Sequence, residues 1–235
     1  MEHLVLHHHE EKLTPVTTSK VLLASGIFSS VLYVLMNILG SLLYPGYSAL
    51  SQTISELSAV GAPTRPLWVA LAALYTILEI AFGWGVWTSA GGNQPLRITG
   101  GLIMATGYLG LGWPFAPMHR REVLAAGGGT LSDTMHIVFS VVTVLLMLLT
   151  ISYGAAALGR RFRLYSISTL LILLVFGALT AIDAPQLSVN GPTPLLGVWE
   201  RINVGVYMLW IAVLALALLP GREGPATGIR QAPAV

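Results

Sequence analysis

The sequence contains no cysteine and very few charged residues. Without cysteine the chain has no disulfide, no thiolate metal ligand and no cysteine nucleophile. Charged residues make up 9% of the 235 residues, against about 25% in an ordinary soluble domain. The mean hydropathy of +0.75 is also far too apolar for a water-facing surface. This composition excludes a soluble globular, a disordered and a fibrous protein, and a net charge of +2 excludes a nucleic-acid-binding protein.

The apolar residues are gathered in long runs. A helix needs roughly 20 apolar residues to cross the hydrocarbon core of a bilayer, and six stretches meet this length. The strict alternation of a transmembrane barrel strand is missing. We therefore predict an all-α polytopic membrane protein, with six transmembrane helices in one bundle. The predicted spans are about Val21 to Tyr44, Leu67 to Ala90, Leu96 to Pro114, Thr134 to Leu158, Phe162 to Ile182, and Val198 to Leu219.

The distribution of Lys and Arg predicts the orientation of the chain. An even number of spans places both termini on one side of the membrane. That side holds eight of the basic residues and the other side holds four, which are Arg65, Arg120, Arg121 and Arg201. Because cytoplasmic loops carry the excess of Lys and Arg, we expect both termini in the cytoplasm and the protein in the plasma (inner) membrane.

The two ends of the chain differ in composition from the apolar middle. We expect a disordered, His-rich tail over residues 1–19, one transmembrane domain over residues 20–219, and a disordered tail rich in Pro, Gly and Ala over residues 220–235. A His-rich tract can bind metal. A solvated tail without a metal is the interpretation that we prefer.

The outer connections are long, and the inner ones are tight. The outer connections run from Pro45 to Pro66, from Phe115 to Asp133 and from Asp183 to Gly197. In the first, Thr53 and Glu56 have the form of a capping box, and apolar residues follow at helical spacing. This pattern predicts a short interfacial helix, in which Glu56 either only caps the helix or also binds a ligand.

The second outer connection contains His119 and leads into Asp133 and His136. A carboxylate one turn from a histidine can orient the imidazole and raise its basicity, which is the arrangement of a general base. Capping of the next helix explains Asp133 without any chemistry. It does not explain a histidine at membrane depth, where polar groups are expensive.

Glu200 and Arg201 fall in the first turn of the sixth predicted span, and Asp183 lies just past the end of the fifth. Adjacent residues of a helix point in different directions, so Glu200 and Arg201 are expected to find separate partners. We expect the polar groups of all three outer connections to converge, with Arg201 as the central cation. The predicted ligand-binding residues are Glu56, His119, Asp133, His136, Asp183, Glu200 and Arg201.

Glu79 stands apart from this cluster because it lies near the middle of the second predicted span. An ionised carboxylate at that depth costs several kcal/mol unless it is paired, so we expect Glu79 to be uncharged and inside the bundle. One interpretation is a protonated acid that only donates a hydrogen bond. The other is a relay for a proton or a substrate.

The outer segments resemble the prokaryotic membrane family catalogued as "domain of unknown function 998". The resemblance rests on Pro45–Ser48, Ile54–Ala59, Gly61–Pro63, Met118–Arg120, Ser132–His136, and Gly197 with Glu200 and Arg201, and it covers about Ser25 to Leu219. Many members have Phe-Pro-x-Asp after the third span, where this chain has Phe115, Ala116, Pro117 and Met118. The resemblance implies a fold and a site location, and it implies no agreed activity.

Three functions remain open at this point. The first is binding of a lipid headgroup or small ligand at the outer polar cluster, with Glu79 as a relay, and it is the one that we favour. The second is an enzyme acting on a lipid or envelope substrate, with His136 as general base and Asp133 or Glu200 as its partner. The third is a structural or assembly factor. No cofactor is expected, and no metal site either, because membrane hydrolases of the ceramidase type need three zinc-binding histidines where this chain has His119 and His136 outside the tail.

Overall fold

The computed structural model describes residues 15–220, and side chains from residue 18 onwards. The described part is all-α, and its one β-bridge joins Val60 to His119. The helices are α1 (Pro15–Leu43), α2 (Arg65–Ser89), α3 (Gln94–Gly110), α4 (Arg121–Ala125), α5 (Leu131–Ala157), α6 (Arg160–Asp183) and α7 (Leu196–Leu218).

Five of these helices are long and apolar enough to cross a membrane, namely α1, α2, α5, α6 and α7. The chain is therefore a multi-pass helical membrane protein. The predicted span from Leu96 to Pro114 corresponds to α3, which has 17 residues. At 1.5 Å per residue this helix is about 25 Å long, less than the roughly 30 Å of a hydrocarbon core. A sixth span remains a prediction.

Of the two predicted tails, residues 1–14 and 221–235 lie outside the described residues. Helix α1 begins at Pro15, inside the stretch that the sequence assigns to the first tail. Residues 15–19 therefore belong to the start of a membrane-spanning helix.

Helices α2 and α3 pack closely because glycines face the opposite backbone. A Cβ atom on Gly100 would lie 2.6 Å from the Trp87 nitrogen, and one on Gly83 would lie 2.7 Å from the Met104 nitrogen. Small residues at such positions let two membrane helices approach to backbone contact. The register of these contacts makes α3 antiparallel to α2.

Helix α3 also runs antiparallel to α5, and the two helices meet near both ends. At one end the Asn93 side chain accepts a hydrogen bond from the Leu96 backbone and donates one to the Ala157 carbonyl, at 2.7 Å. Beyond the other end, the Trp113 ring packs on Phe139 with 5.6 Å between ring centres. Helix α3 thus follows α5 over most of its length.

Helix α7 contributes most to the buried core. Tyr207 and Trp210 are fully buried, and the Trp210 indole donates to the Ser166 hydroxyl of α6 at 2.9 Å. On the opposite side, the Ser30 hydroxyl of α1 donates to the Met208 carbonyl at 2.8 Å. Inside a membrane no water is available to these polar groups, so they bond to one another. The two hydrogen bonds hold α7 between α1 and α6.

The long connections gather at one end of the bundle, which we call the loop end. It consists of residues 44–64, 111–130 and 184–195. The predicted interfacial helix corresponds to a single 3-10 turn, Ser55–Ser58. The connections at the opposite end are short, over residues 90–93 and 158–159. The loop end is therefore the part of the structure where several polar side chains can come together.

Candidate functional site

The centre of the loop end is an ion pair between Glu56 and Arg121. The Arg121 guanidinium donates from Nε to Oε1 at 2.9 Å and from Nη2 to Oε2 at 2.8 Å. Both side chains are largely buried, with 12% of the Arg121 side chain and 4% of the Glu56 side chain exposed. These hydrogen bonds raise the pKa of Arg121. Two parallel bonds of this kind combine charge attraction with a fixed geometry.

The ion pair joins all three connections of the loop end. Arg121 also donates from Nη1 to the Thr193 hydroxyl at 3.0 Å. Glu56 accepts from the Thr53 backbone at 2.8 Å, and the Thr53 hydroxyl accepts from the Glu56 backbone at 3.3 Å. The reciprocal bonds are those of the capping box that the sequence indicates. Glu56 therefore caps its 3-10 turn and, at the same time, pairs with the Arg121 guanidinium.

Arg201 is not the central cation, and the expectation that it would pair with the outer carboxylates is wrong. Its Nη1 donates to the carbonyls of Ala49, Gln52 and Gly197 at 2.9 to 3.0 Å. Its Nη2 donates to the Tyr47 hydroxyl, and the guanidinium lies 5.6 Å from the centre of the Tyr47 ring. From the first turns of α7, Arg201 reaches the backbone of residues 49–52, whereas Arg121 lies beside Glu56.

Tyr47 is held from two sides. Its hydroxyl donates towards the Thr53 carbonyl at 2.7 Å and accepts from Arg201. Burial raises the pKa of Tyr47 to about 12, although Arg201 acts in the opposite direction. The phenol therefore stays protonated at any physiological pH and acts as a fixed link between the first connection and α7.

Asp133 pairs with His119, and not with His136 as its helical spacing suggests. The two oxygens of Asp133 accept from the His119 backbone at 2.7 Å and contact the His119 Nδ1 at 2.9 Å. Asp133 also accepts from the Thr130 backbone at 2.8 Å, as the acidic partner of a capping box in which Thr130 is the N-cap residue of α5. The carboxylate therefore reaches back to the loop instead of forward along the helix.

His136 instead contacts the first connection. Its Nε2 lies 2.9 Å from the Ser55 hydroxyl oxygen, and its Nδ1 lies 2.9 Å from the Ala116 carbonyl oxygen. The imidazole and the Trp113 ring pack in a T-shaped arrangement, with 4.9 Å between ring centres. His136 thus links α5 to two loops and is fixed in orientation.

The two remaining acidic residues of the predicted cluster have different environments. Glu200 accepts a hydrogen bond from the Ile54 backbone. Asp183 lies at the end of α6 and forms no ion pair or side-chain hydrogen bond with any residue between 15 and 220. In this part of the chain Asp183 therefore does not join the cluster, and the expected convergence is wrong for this residue.

Glu79 is 3% exposed inside the bundle. Its Oε1 has no hydrogen-bond partner among the described residues, and the same holds for the hydroxyls of Tyr207 and Thr150. Tyr75 lies one turn away on α2, and its ring packs on Tyr33 of α1 with 5.3 Å between ring centres. A carboxyl group buried in this way, with no ion-pair partner in the described part of the chain, is expected to be uncharged.

Below the loop end, a groove opens between α1 and α7, with a volume of about 420 Å³. Arg201, Ala49 and Ile54 line it at the loop end, and apolar side chains such as Val34 and Val204 line it further along. Gly205 leaves part of the groove open, because a Cβ atom there would have no atom within 4 Å. The groove was not visible in the sequence.

Sequence reasoning also missed Arg121 and Ser55. Both lie in outer segments that the sequence marks as site-forming, and the capping pattern already identifies Glu56 as a hydrogen-bond acceptor. Nothing in the spacing distinguishes Arg121 from Arg120, however, and Ser55 is one of several serines in the same connection. Among residues 15–220, no group of three or more His, Asp or Glu side chains could hold a metal ion.

Comparison with known proteins identifies the family of this chain. No curated protein and no solved structure matches it. A family described as "Protein of unknown function (DUF998)" matches residues 27–217, which include helices α2 to α6, most of α1 and α7, and the whole loop end. The match agrees with the resemblance seen in the outer segments, and the chain therefore belongs to this family of proteins of unknown function.

Proposed function

We propose that this protein binds a membrane lipid at its loop end, with an acyl chain in the groove between α1 and α7. The main observation behind this proposal is the groove. It lies on the face of two membrane-spanning helices, its volume of about 420 Å³ falls in the range of small-molecule sites, and its walls are mostly apolar. In a bilayer, the apolar molecules next to such a groove are lipids, so a lipid acyl chain is the expected occupant.

Polar groups at one end of the groove support the placement of a lipid headgroup there. Arg201 lines this end, and Asn37 lines it from α1. The Asn37 amide donates to the Tyr33 carbonyl, whereas its Oδ1 has no hydrogen-bond partner among the described residues. This oxygen is buried, so the Arg201 guanidinium is the polar group at this end that would attract a headgroup phosphate.

The paired side chains of the loop end have a supporting role in this proposal. Glu56 and Arg121 satisfy each other, as do Asp133 and His119, so these groups do not need a ligand. They fix three connections against one another and keep the mouth of the groove in shape. Preorganisation of this kind lowers the entropy lost on binding.

The proposal includes the topology of six spans with both termini in the cytoplasm. The contacts of α3 with α5 near both ends support it, since a helix that follows α5 in this way crosses nearly the same depth of bilayer. The excess of Lys and Arg in the sequence segments predicted to be cytoplasmic supports the orientation. The groove then opens to the outer leaflet of the plasma membrane.

The test fills the groove and measures the lipid that co-purifies. Gly205→Leu places a side chain in open space, and it also raises helix propensity, so the fold should tolerate it. Ala178→Leu, an exposed position of α6 outside the groove, is the matched control. Both variants and the parent chain are purified in mild detergent, and retained lipids are measured by native mass spectrometry.

We expect a defined lipid on the parent chain and on Ala178→Leu, and at least a tenfold lower occupancy on Gly205→Leu. Equal lipid retention by all three proteins would show that the groove is not the site. The absence of any defined lipid from the parent chain would contradict the proposal as a whole.

A further inference from the structure

Ser55 and His136 form a hydrogen-bonded pair whose proton positions follow from the contacts. A carbonyl oxygen can only accept, so the His136 Nδ1, 2.9 Å from the Ala116 carbonyl, must carry the hydrogen. In the neutral ring Nε2 is then an acceptor. The Ser55 hydroxyl, 2.9 Å away, donates to it.

This is the arrangement of an activated nucleophile. A serine hydroxyl becomes nucleophilic when a neighbouring imidazole can take its proton, and a third group must hold the imidazole in the correct tautomer. Here the Ala116 carbonyl holds the tautomer, and the Trp113 ring packs against the imidazole with 4.9 Å between ring centres. Ser55 and His136 are both partly exposed, so a substrate can reach them.

The position of the pair favours a lipid ester as the substrate. Ser55 follows Ile54, which lines the groove at the loop end. A lipid with its acyl chain in the groove would have its ester linkage at this end, where the chain meets the headgroup. This part of the argument rests on the proposed lipid binding, whereas the reactivity of the pair does not.

We propose that Ser55 is the nucleophile and His136 the general base of an acyl-ester hydrolase or acyltransferase site at the loop end. The Ser55 Oγ attacks the carbonyl carbon of the ester, and its proton passes to the His136 Nε2. When the tetrahedral intermediate collapses, the ester C–O bond breaks and the leaving alcohol takes this proton. Water or a second alcohol then attacks the acyl-serine, again losing its proton to His136, which returns it to Ser55.

The experiment treats the full chain in mild detergent with a fluorophosphonate probe, which forms a covalent bond with activated serines. Intact mass measures the extent of reaction, and peptide mapping locates it. We expect one adduct, on Ser55. No adduct on the folded parent chain, or an adduct only at another serine, would overturn the proposal.

Three variants define the mechanism. Ser55→Ala should lose the adduct. His136→Asn keeps a donor for the Ala116 carbonyl but removes the base, and it should slow labelling by about 100-fold or more. Ser58→Ala changes the serine that ends the same 3-10 turn and should label like the parent chain. Thermal unfolding checks that each variant is folded, and an unchanged rate in folded His136→Asn would overturn the role of the base.

The result is independent of the groove. If Gly205→Leu loses its lipid but still reacts at Ser55, lipid binding and the nucleophile are both supported. If the parent chain holds no lipid and Ser55 still reacts, the lipid-binding proposal fails and the reactive pair remains.

Discussion

Arg121 holds both carboxylate oxygens of Glu56, at 2.9 and 2.8 Å, although 64 residues separate the two along the chain. The contact joins the second connection of the loop end to the first, and Thr193 joins the third to the same guanidinium. The loop end is therefore a single linked structure rather than three independent loops.

Removing this guanidinium should strongly destabilise the protein. Arg121→Ala leaves Glu56 buried and unpaired, and breaking a buried pair in this way costs about 3–5 kcal/mol. Arg120→Ala, at the exposed neighbouring position, should change the free energy of unfolding by less than about 0.5 kcal/mol. Thermal unfolding in the same detergent compares the two variants, and equal melting temperatures would show that the pair is dispensable.

Arg201 should tolerate neither truncation nor replacement by lysine. Its guanidinium serves three carbonyls and the Tyr47 hydroxyl at once, and hydrogen bonds to charged groups contribute about 1.5–3 kcal/mol each. A lysine ammonium keeps the charge but cannot reproduce the planar fork. We expect the melting temperature to be highest for the parent chain, lower for Arg201→Lys and lowest for Arg201→Ala. Full rescue by lysine would mean that only the charge matters.

The same substitution should cost very different amounts of stability at two buried glutamates. Glu79 has no ion-pair partner among residues 15–220, and an uncharged acid resembles an amide, so Glu79→Gln should cost less than about 1 kcal/mol. Glu56→Gln removes the charge that Arg121 faces and should cost several times more. A large loss of thermal stability in Glu79→Gln would instead indicate an ionised, paired carboxylate.

The absence of cysteine allows a clean test of topology. Single cysteines at Thr17, Ser188 and Ala226 can be probed with an impermeant thiol reagent in intact cells. Six spans with cytoplasmic termini predict labelling at Ser188 only, which is an exposed position of the third connection. Labelling at Thr17 or Ala226 would contradict the orientation, and labelling at one terminus alone would contradict the even number of spans.

Hydropathy was sufficient to predict the helical class, since the cost of unpaired backbone groups in lipid leaves few alternatives. It located five spans, and it located α3 without showing that this helix would have only 17 residues. The glycines that bring α3 onto α2 explain why a short helix holds its place, but a glycine in a sequence does not state which backbone it faces.

The composition of the loop end was more predictable than its pairing. The sequence placed Glu56, Asp133, His136 and Arg201 in or beside the outer connections, and in the structure they lie in or next to the loop end. It assigned the wrong partners, because helical spacing relates Asp133 to His136 whereas the side chain turns back to His119. Partner choice depends on how the loops fold over one another, and a one-dimensional pattern carries no information on that folding.

The most direct test of lipid binding uses a phospholipid with a photoreactive group in its acyl chain. After irradiation in liposomes, peptide mapping should find the crosslinks on the groove side of α1 and α7, around Val34, Ile38 and Val204, and Gly205→Leu should abolish them. Crosslinks that are equally frequent on the exposed faces of α5 and α6, or that persist in Gly205→Leu, would contradict a lipid site in this groove.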